Sequence, residues 1–97
     1  MKKENKMDPE KVVSPRKHLN SVKVIYKNEL FSIALLNYDG VNRIGIRWNG
    51  GENEKGYPQS CGYPTWFLLP KAIALAYAEQ SGDVAFKISV DQAKDDK

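Results

Sequence analysis

The chain has one cysteine, one histidine and no long apolar run, and each shortage closes off a class of function. Cys61 stands alone, which excludes an internal disulfide. The apolar core of about 7–15 residues that an export signal needs is missing as well, so the expected location is a reducing cytoplasm. No segment approaches the roughly 18–20 apolar residues of a membrane-spanning helix. A zinc site needs more than Cys61 and His18. A nucleophilic Cys61 needs a nearby base, and His18 sits beside Lys17 in a charged stretch where it reads as solvated. Glu52 and Glu54 flank Asn53, while Asp91, Asp95 and Asp96 end the chain. No pair of carboxylates falls where it would be rigidly held. The glycine pairs after Trp48 lack the Gly-Lys-Ser/Thr of a phosphate loop. The expectation is a protein that is not an enzyme, with no catalytic residue, metal or cofactor.

Apolar content is also scarce at the start. MKKENKMDPEKVVSPRKHL has little beyond Val12, Val13 and two methionines, too little to offset its ordering entropy. Residues 1–19 are therefore expected to be a disordered basic arm. The net charge of +3 is concentrated there: residues 1–27 carry eight Lys or Arg against three acids. Ninety-seven residues make one domain, placed at 20–91, with 92–97 as a charged tail.

What is present centres on LFSIALLNYDGVNRIGIRW, residues 30–48. Asp39-Gly40 between two apolar, β-branched runs predicts a hairpin, because a type I′ turn needs positive φ at both central residues. That turn sets a register in which Phe31 faces Trp48, Ile33 faces Ile46, Leu35 faces Ile44, Leu36 faces Arg43 and Tyr38 faces Val41. With a side-chain period of two, Phe31, Ile33, Leu35, Ile44, Ile46 and Trp48 share the core face. Upstream, SVKVIYK alternates, and a turn at Asn28-Glu29 would place Val22, Val24 and Tyr26 on the same face. A three-stranded antiparallel meander follows.

The opposite face collects Lys23, Lys27, Arg43, Arg47 and Tyr38 among the small residues Ser32, Ala34 and Gly45. Small side chains let a phosphate backbone approach and cations neutralise it, although an outward sheet face is also often polar and merely solvated. Ile25, Leu36 and Val41 on this face suggest a cover, such as another subunit. The long segment Asn49 to Pro64 contains Gly-Tyr-Pro twice. Proline holds Tyr57 and Tyr63 extended with their rings outward, as candidates for stacking on bases or for capping the sheet edge.

Downstream, TWFLL predicts a strand and Pro70 opens a helix that ends at Gly82. From Ala72 to Ala78 the helix is apolar all round, read either as an ordinary helix with Ile73 and Tyr77 inward or as one whose Leu75 side a second subunit buries. Val84, Phe86, Ile88 and Val90 alternate strictly and predict a further strand. The fold class is α+β: a meander, a long loop, then strand-helix-strand, with the helix on the apolar sheet face.

This element order, the basic residues Lys23, Lys27, Arg43 and Arg47, and the join TWFLLPKAIALAYAEQ resemble, over residues 21–81, the single-stranded-DNA-binding domain of the positive-cofactor-four type of transcriptional coactivator. The resemblance implies a curved antiparallel sheet, dimerisation and single-strand binding. The strand expected after the helix and the long loop around Tyr57 and Tyr63 depart from that family. Two functions are expected. One is non-enzymatic binding of single-stranded nucleic acid, with Lys23, Lys27, Arg43 and Arg47 on phosphates and Tyr38, Tyr57 and Tyr63 stacking. The other is a protein-interaction module whose partner covers Leu36, Tyr38 and Val41 or adds a strand to an open edge. A homodimer through the Leu75 helix or the Leu36 face is the expected assembly.

Overall fold

In the computed structural model, which describes residues 8–94, strands β1 (Leu19–Lys27), β2 (Phe31–Tyr38) and β3 (Val41–Trp48) form an antiparallel meander. Asp39 and Gly40 join the second pair with φ of 54° and 83°, both left-handed as a type I′ turn requires. The β2–β3 register is the one the turn dictates, from Phe31 opposite Trp48 to Tyr38 opposite Val41. A small hairpin follows, β4 (Gln59–Ser60) and β5 (Tyr63–Pro64), then β6 (Phe67–Leu69), α1 (Lys71–Ser81) and α2 (Val84–Asp91). The main sheet runs β1-β2-β3-β6, with β6 antiparallel to β3.

The sheet is covered on both faces. On one, Ile33, Leu35 and Ile44 pack against Ala74, Ala78, Phe86, Val90 and Ala93 of the helical layer. On the other, Ala34 and Leu36 pack against Val12, Leu19 and Trp66. The second core is built by residues 8–18, a strap that crosses the outer face. The strap opens with a 3₁₀ turn, Pro9–Lys11, in which the Asp8 carboxylate accepts the Glu10 amide. Its Val12 is wholly buried, and the Val12 carbonyl accepts the Trp66 indole N–H. The disordered arm expected over 1–19 is thus replaced, from residue 8 onward, by ordered chain. Residues 1–7 lie outside the described residues. Burial of Val12 and Leu19 supplies the apolar contact that composition alone concealed.

The β1–β2 pairing also differs from expectation. The turn is at Glu29-Leu30, one residue later than Asn28-Glu29, because the Asn28 carboxamide oxygen accepts the amides of Leu30 and Phe31, an Asx turn. Tyr26 then lies opposite Ile33, and a bulge between Val24 and Tyr26 shifts Val24 opposite Ala34 and Val22 opposite Leu36. Val22 and Val24 consequently join the outer core, while Ile25, expected on the outer face, packs against the helix-side core. Buried Ser32 and Asn49 tie this hairpin to the end of β3: the Ser32 hydroxyl donates to Asn49 Oδ1 at 2.6 Å, and Asn49 Nδ2 donates to the Asn28 carbonyl at 2.8 Å.

Val84 to Val90, expected as a strand, is the helix α2. Asp83 is its N-cap, accepting the Phe86 amide at 3.0 Å. Strict alternation of Val84, Phe86, Ile88 and Val90 also contains two i,i+4 pairs, and the helix uses them: Phe86 and Val90 are buried while Val84 and Ile88 are exposed. On α1 the orientation is the reverse of either expectation. Ala74 and Ala78 face the sheet, Leu75 is half-buried against the same core, and Ile73 and Tyr77 are exposed. Gly82 ends α1 in the left-handed region. The start of the expected tail is anchored as well, since Ala93 is buried, the Lys94 amide donates to the Asn42 carbonyl, and Lys71 Nζ donates to the Ala93 carbonyl. Residues 95–97 lie outside the described residues.

Candidate functional site

The expected basic platform does not come together. Arg47 is 1% exposed. Its guanidinium donates to the carbonyls of Lys55, Thr65 and Pro58, so the side chain is the internal clasp of the long loop. Burial pushes its pKa down from the ordinary arginine value, and an arginine remains cationic at any physiological pH. Gly56 makes the clasp fit, since a Cβ there would meet the Trp48 carbonyl oxygen at 2.1 Å and Arg47 Nη2 at 2.7 Å. Lys23 lies opposite Leu35 and so on the helix side, because the bulge at Ile25 separates it from Lys27. Lys27, opposite Ser32, and Arg43, opposite Leu36, remain on the outer face. Ser32 and Leu36 are four residues apart on β2, roughly 13 Å along the strand.

The small residues of that face have a different use. Ser32, Ala34 and Gly45 are buried, and a Cβ on Gly45 would lie 3.2 Å from the Trp66 Cβ and 2.5 Å from the Leu36 Cδ1. Ala34 and Gly45 make room for Trp66 and Leu36, and Ser32 is bonded to Asn49. Leu36 itself is buried, so it offers no subunit interface. Tyr38 is half-buried and stacks on His18 with centroids 5.3 Å apart. His18, read from sequence as solvated, bonds through Nδ1 to the Asp39 carboxylate at 2.8 Å.

Tyr57 and Tyr63 are outward, as their prolines suggested, but they serve two separate surfaces. Tyr57 forms an antiparallel bridge with Trp48, and antiparallel partners share a face. Trp48 belongs to the helix-side face of the sheet, beyond the reach of the helices, and is exposed where the sequence placed it in the core. Ile46 and Phe31 on the same face are half-buried. Phe67, opposite Ile46 on β6, extends the surface. Behind it runs an arc of ring contacts: Trp48 to Phe31 at 6.2 Å, Phe31 to Tyr26 at 5.7 Å, and Tyr26 to Tyr77 at 5.9 Å. Hydrogen bonding to Tyr26 holds the Tyr77 phenol above its ordinary pKa, so Tyr77 is neutral at physiological pH. The surface thus presents Tyr57, Trp48, Phe67 and Tyr77, exposed by 64, 55, 54 and 41% respectively. Sequence reasoning found Tyr57 alone of these four. The signal for Trp48 and Phe67 was a helix shorter than the strands it covers, while Tyr77, on α1 itself, had none.

Tyr63 lies instead on β5, next to a turn formed by Cys61 and Gly62, both at positive φ. It borders a cleft against the strap, with Lys11, Ser14 and Arg16. Cys61 is exposed and unpaired. Among the described residues no group of His, Cys, Asp and Glu is placed to hold a metal ion, and no helix is long and apolar enough to cross a membrane. No protein-family model matches the chain, and neither the curated proteins nor the solved structures contain a match to it.

Proposed function

We propose that the domain is a non-enzymatic interaction module that docks a protein partner on its helix-side aromatic surface. The observation that carries this reading is the grouping of Trp48, Tyr57, Phe67 and Tyr77 at the open end of the sheet, each at least two-fifths exposed. At about 150–250 Å² for a whole aromatic side chain, the four expose on the order of 400 Å², within the range of functional patches on otherwise polar proteins. Exposed Leu30 at the neighbouring hairpin tip and exposed Ile73 on α1 add apolar area that has no use in base stacking. The four side chains carry no charge, which favours an apolar protein surface over a phosphate backbone. Beside it β6 is the terminal strand of the main sheet, which leaves an edge for strand addition by the same partner.

Affinity capture from the source cells with the full chain, compared between the native protein and Trp48→Ala/Tyr57→Ala, tests this reading. A partner held by the native protein and lost by the variant, then titrated as a purified pair, supports it. Equal capture by both proteins overturns it. Sedimentation equilibrium shows whether the partner is a second copy of the chain.

A further inference from the structure

We infer that the cleft between the strap and the β4–β5 hairpin is a binding site for a nucleotide. The site is separate from the aromatic docking surface, and either stands without the other. The strap is fixed across the outer face by buried Val12 and by the Trp66 indole bond to the Val12 carbonyl. This fixing brings Lys11 and Arg16 to the lining of one cleft of about 480 Å³, which Val13, Ser14, Tyr63 and Pro64 complete. Both cations are exposed. Among the described residues neither takes part in an ion pair, and no carboxylate lines the cleft. Two unpaired cations facing one space are the chemistry of an anion site.

The cleft does not end there. Ser14 and Tyr63 also line a second hollow of about 440 Å³, whose other walls include Tyr38, Trp66 and Leu68 and the hydroxyl residues Ser60 and Thr65. Through Ser14 and Tyr63 the two hollows adjoin, and together they offer three kinds of wall: the cations Lys11 and Arg16, the hydroxyl side chains Ser14, Ser60 and Thr65, and the rings of Tyr38, Tyr63 and Trp66. A phosphate, a sugar and a base call for the same three chemistries. Phosphate would lie between Lys11 and Arg16, sugar hydroxyls against Ser14 and Thr65, and the base against the Tyr63 ring, which is 66% exposed. Each hollow falls in the range of roughly 300–1,000 Å³ usual for small-ligand sites. A free nucleotide and the end of a single strand offer the same groups.

The test is a heteronuclear NMR titration of the full chain with adenosine 5′-monophosphate, inorganic phosphate and adenosine as separate probes. The monophosphate is expected to shift the amides of Lys11 to Arg16 and of Tyr63 together with the Trp66 indole N–H, and to bind more tightly than phosphate or adenosine alone. Lys11→Gln/Arg16→Gln should weaken it at least tenfold. Tyr63→Leu should bring its affinity down to that of inorganic phosphate, and Lys27→Gln, on the same face outside both hollows, should leave it unchanged. An eight-residue oligodeoxyadenylate distinguishes the sources, binding more tightly than the monophosphate at the same amides where a strand is the ligand. The proposal is overturned by an absence of shifts at millimolar monophosphate, by shifts that survive Lys11→Gln/Arg16→Gln, or by equal affinity for monophosphate and inorganic phosphate. Trp48→Ala/Tyr57→Ala leaves nucleotide binding intact, so failure here and failure of the docking surface are read separately.

Discussion

The Trp66 indole N–H donates to the Val12 carbonyl at 2.8 Å, joining residues 54 apart in sequence. Both partners are buried, and the bond seals the strap onto small residues of the sheet. An outer face that reads as open and basic becomes a second core through this contact. The consequences for stability are direct.

Val12→Ala should lower unfolding free energy by about 1.5–3 kcal/mol, the loss of a fully buried valine side chain plus its cavity. Deleting residues 1–13 should cost more, because the Trp66 N–H would also lose its acceptor. Urea denaturation measures both. Unchanged midpoints would mean that the strap does not cover the face.

Arg47→Met should destabilise the protein by roughly 2–4 kcal/mol, since three loop carbonyls lose a charged donor. Hydrogen exchange should quicken across residues 49–65. Arg47→Lys should not restore protection, because an ammonium cannot span the three carbonyls as a planar fork does. Exchange that is unaltered in both variants would contradict the clasp.

Ile44→Ala should cost about 2–5 kcal/mol as a cavity in the helix-side core. Trp48→Ala and Ile73→Ala should each stay within about 0.5–1 kcal/mol, as changes at exposed positions do. For a docking hot spot the same Trp48→Ala should cost the purified complex about 2 kcal/mol or more. Calorimetry of the variants, free and bound, separates the two effects.

Assembly is open to a simple check. Leu36→Ala and Leu75→Ala should act on folding stability, because both residues pack inside the chain. Any dimer formed should respond to Ile73→Ala or Tyr77→Ala, whose side chains are exposed on α1. Sedimentation equilibrium of the four variants at micromolar concentration distinguishes these outcomes. Dissociation by Leu36→Ala in a protein of native stability would reverse the assignment.

Single-stranded oligonucleotide binding through the strap cleft would engage two cations, Lys11 and Arg16. Log affinity should then fall against log salt with a slope near −1.4, at about −0.7 per phosphate contact, and not the roughly −3 of a four-cation platform. A slope near −3 that drops on Arg43→Ala would favour the sheet face instead.

Sequence alone settled the β2–β3 hairpin, because a two-residue turn with two left-handed positions fixes the pairing of every residue beside it. Asp39-Gly40 is such a turn, and the register from Phe31 to Tyr38 follows without reference to the rest of the chain. The end of α1 at Gly82 and the outward rings of Tyr57 and Tyr63 were legible for the same local reason. The Asp83 N-cap of α2 was not read from the sequence, where the alternation after it pointed to a strand.

Tertiary structure decided everything that depended on what lies opposite a residue. Alternation tells which side chains share a face, not which face is covered or by what. The bulge at Ile25 moved Val22 and Val24 across the sheet, the strap filled a face of small residues, and Arg47 found its carbonyl partners up to 18 residues downstream. Short helices left Trp48 uncovered on a face that periodicity assigned to the core. Turn geometry is written within four residues, whereas burial is a sum over contacts from distant parts of the chain. The candidate sites belong to the second kind: the aromatic surface lies where the helical layer ends, and the proposed nucleotide cleft lies where the strap meets the β4–β5 hairpin.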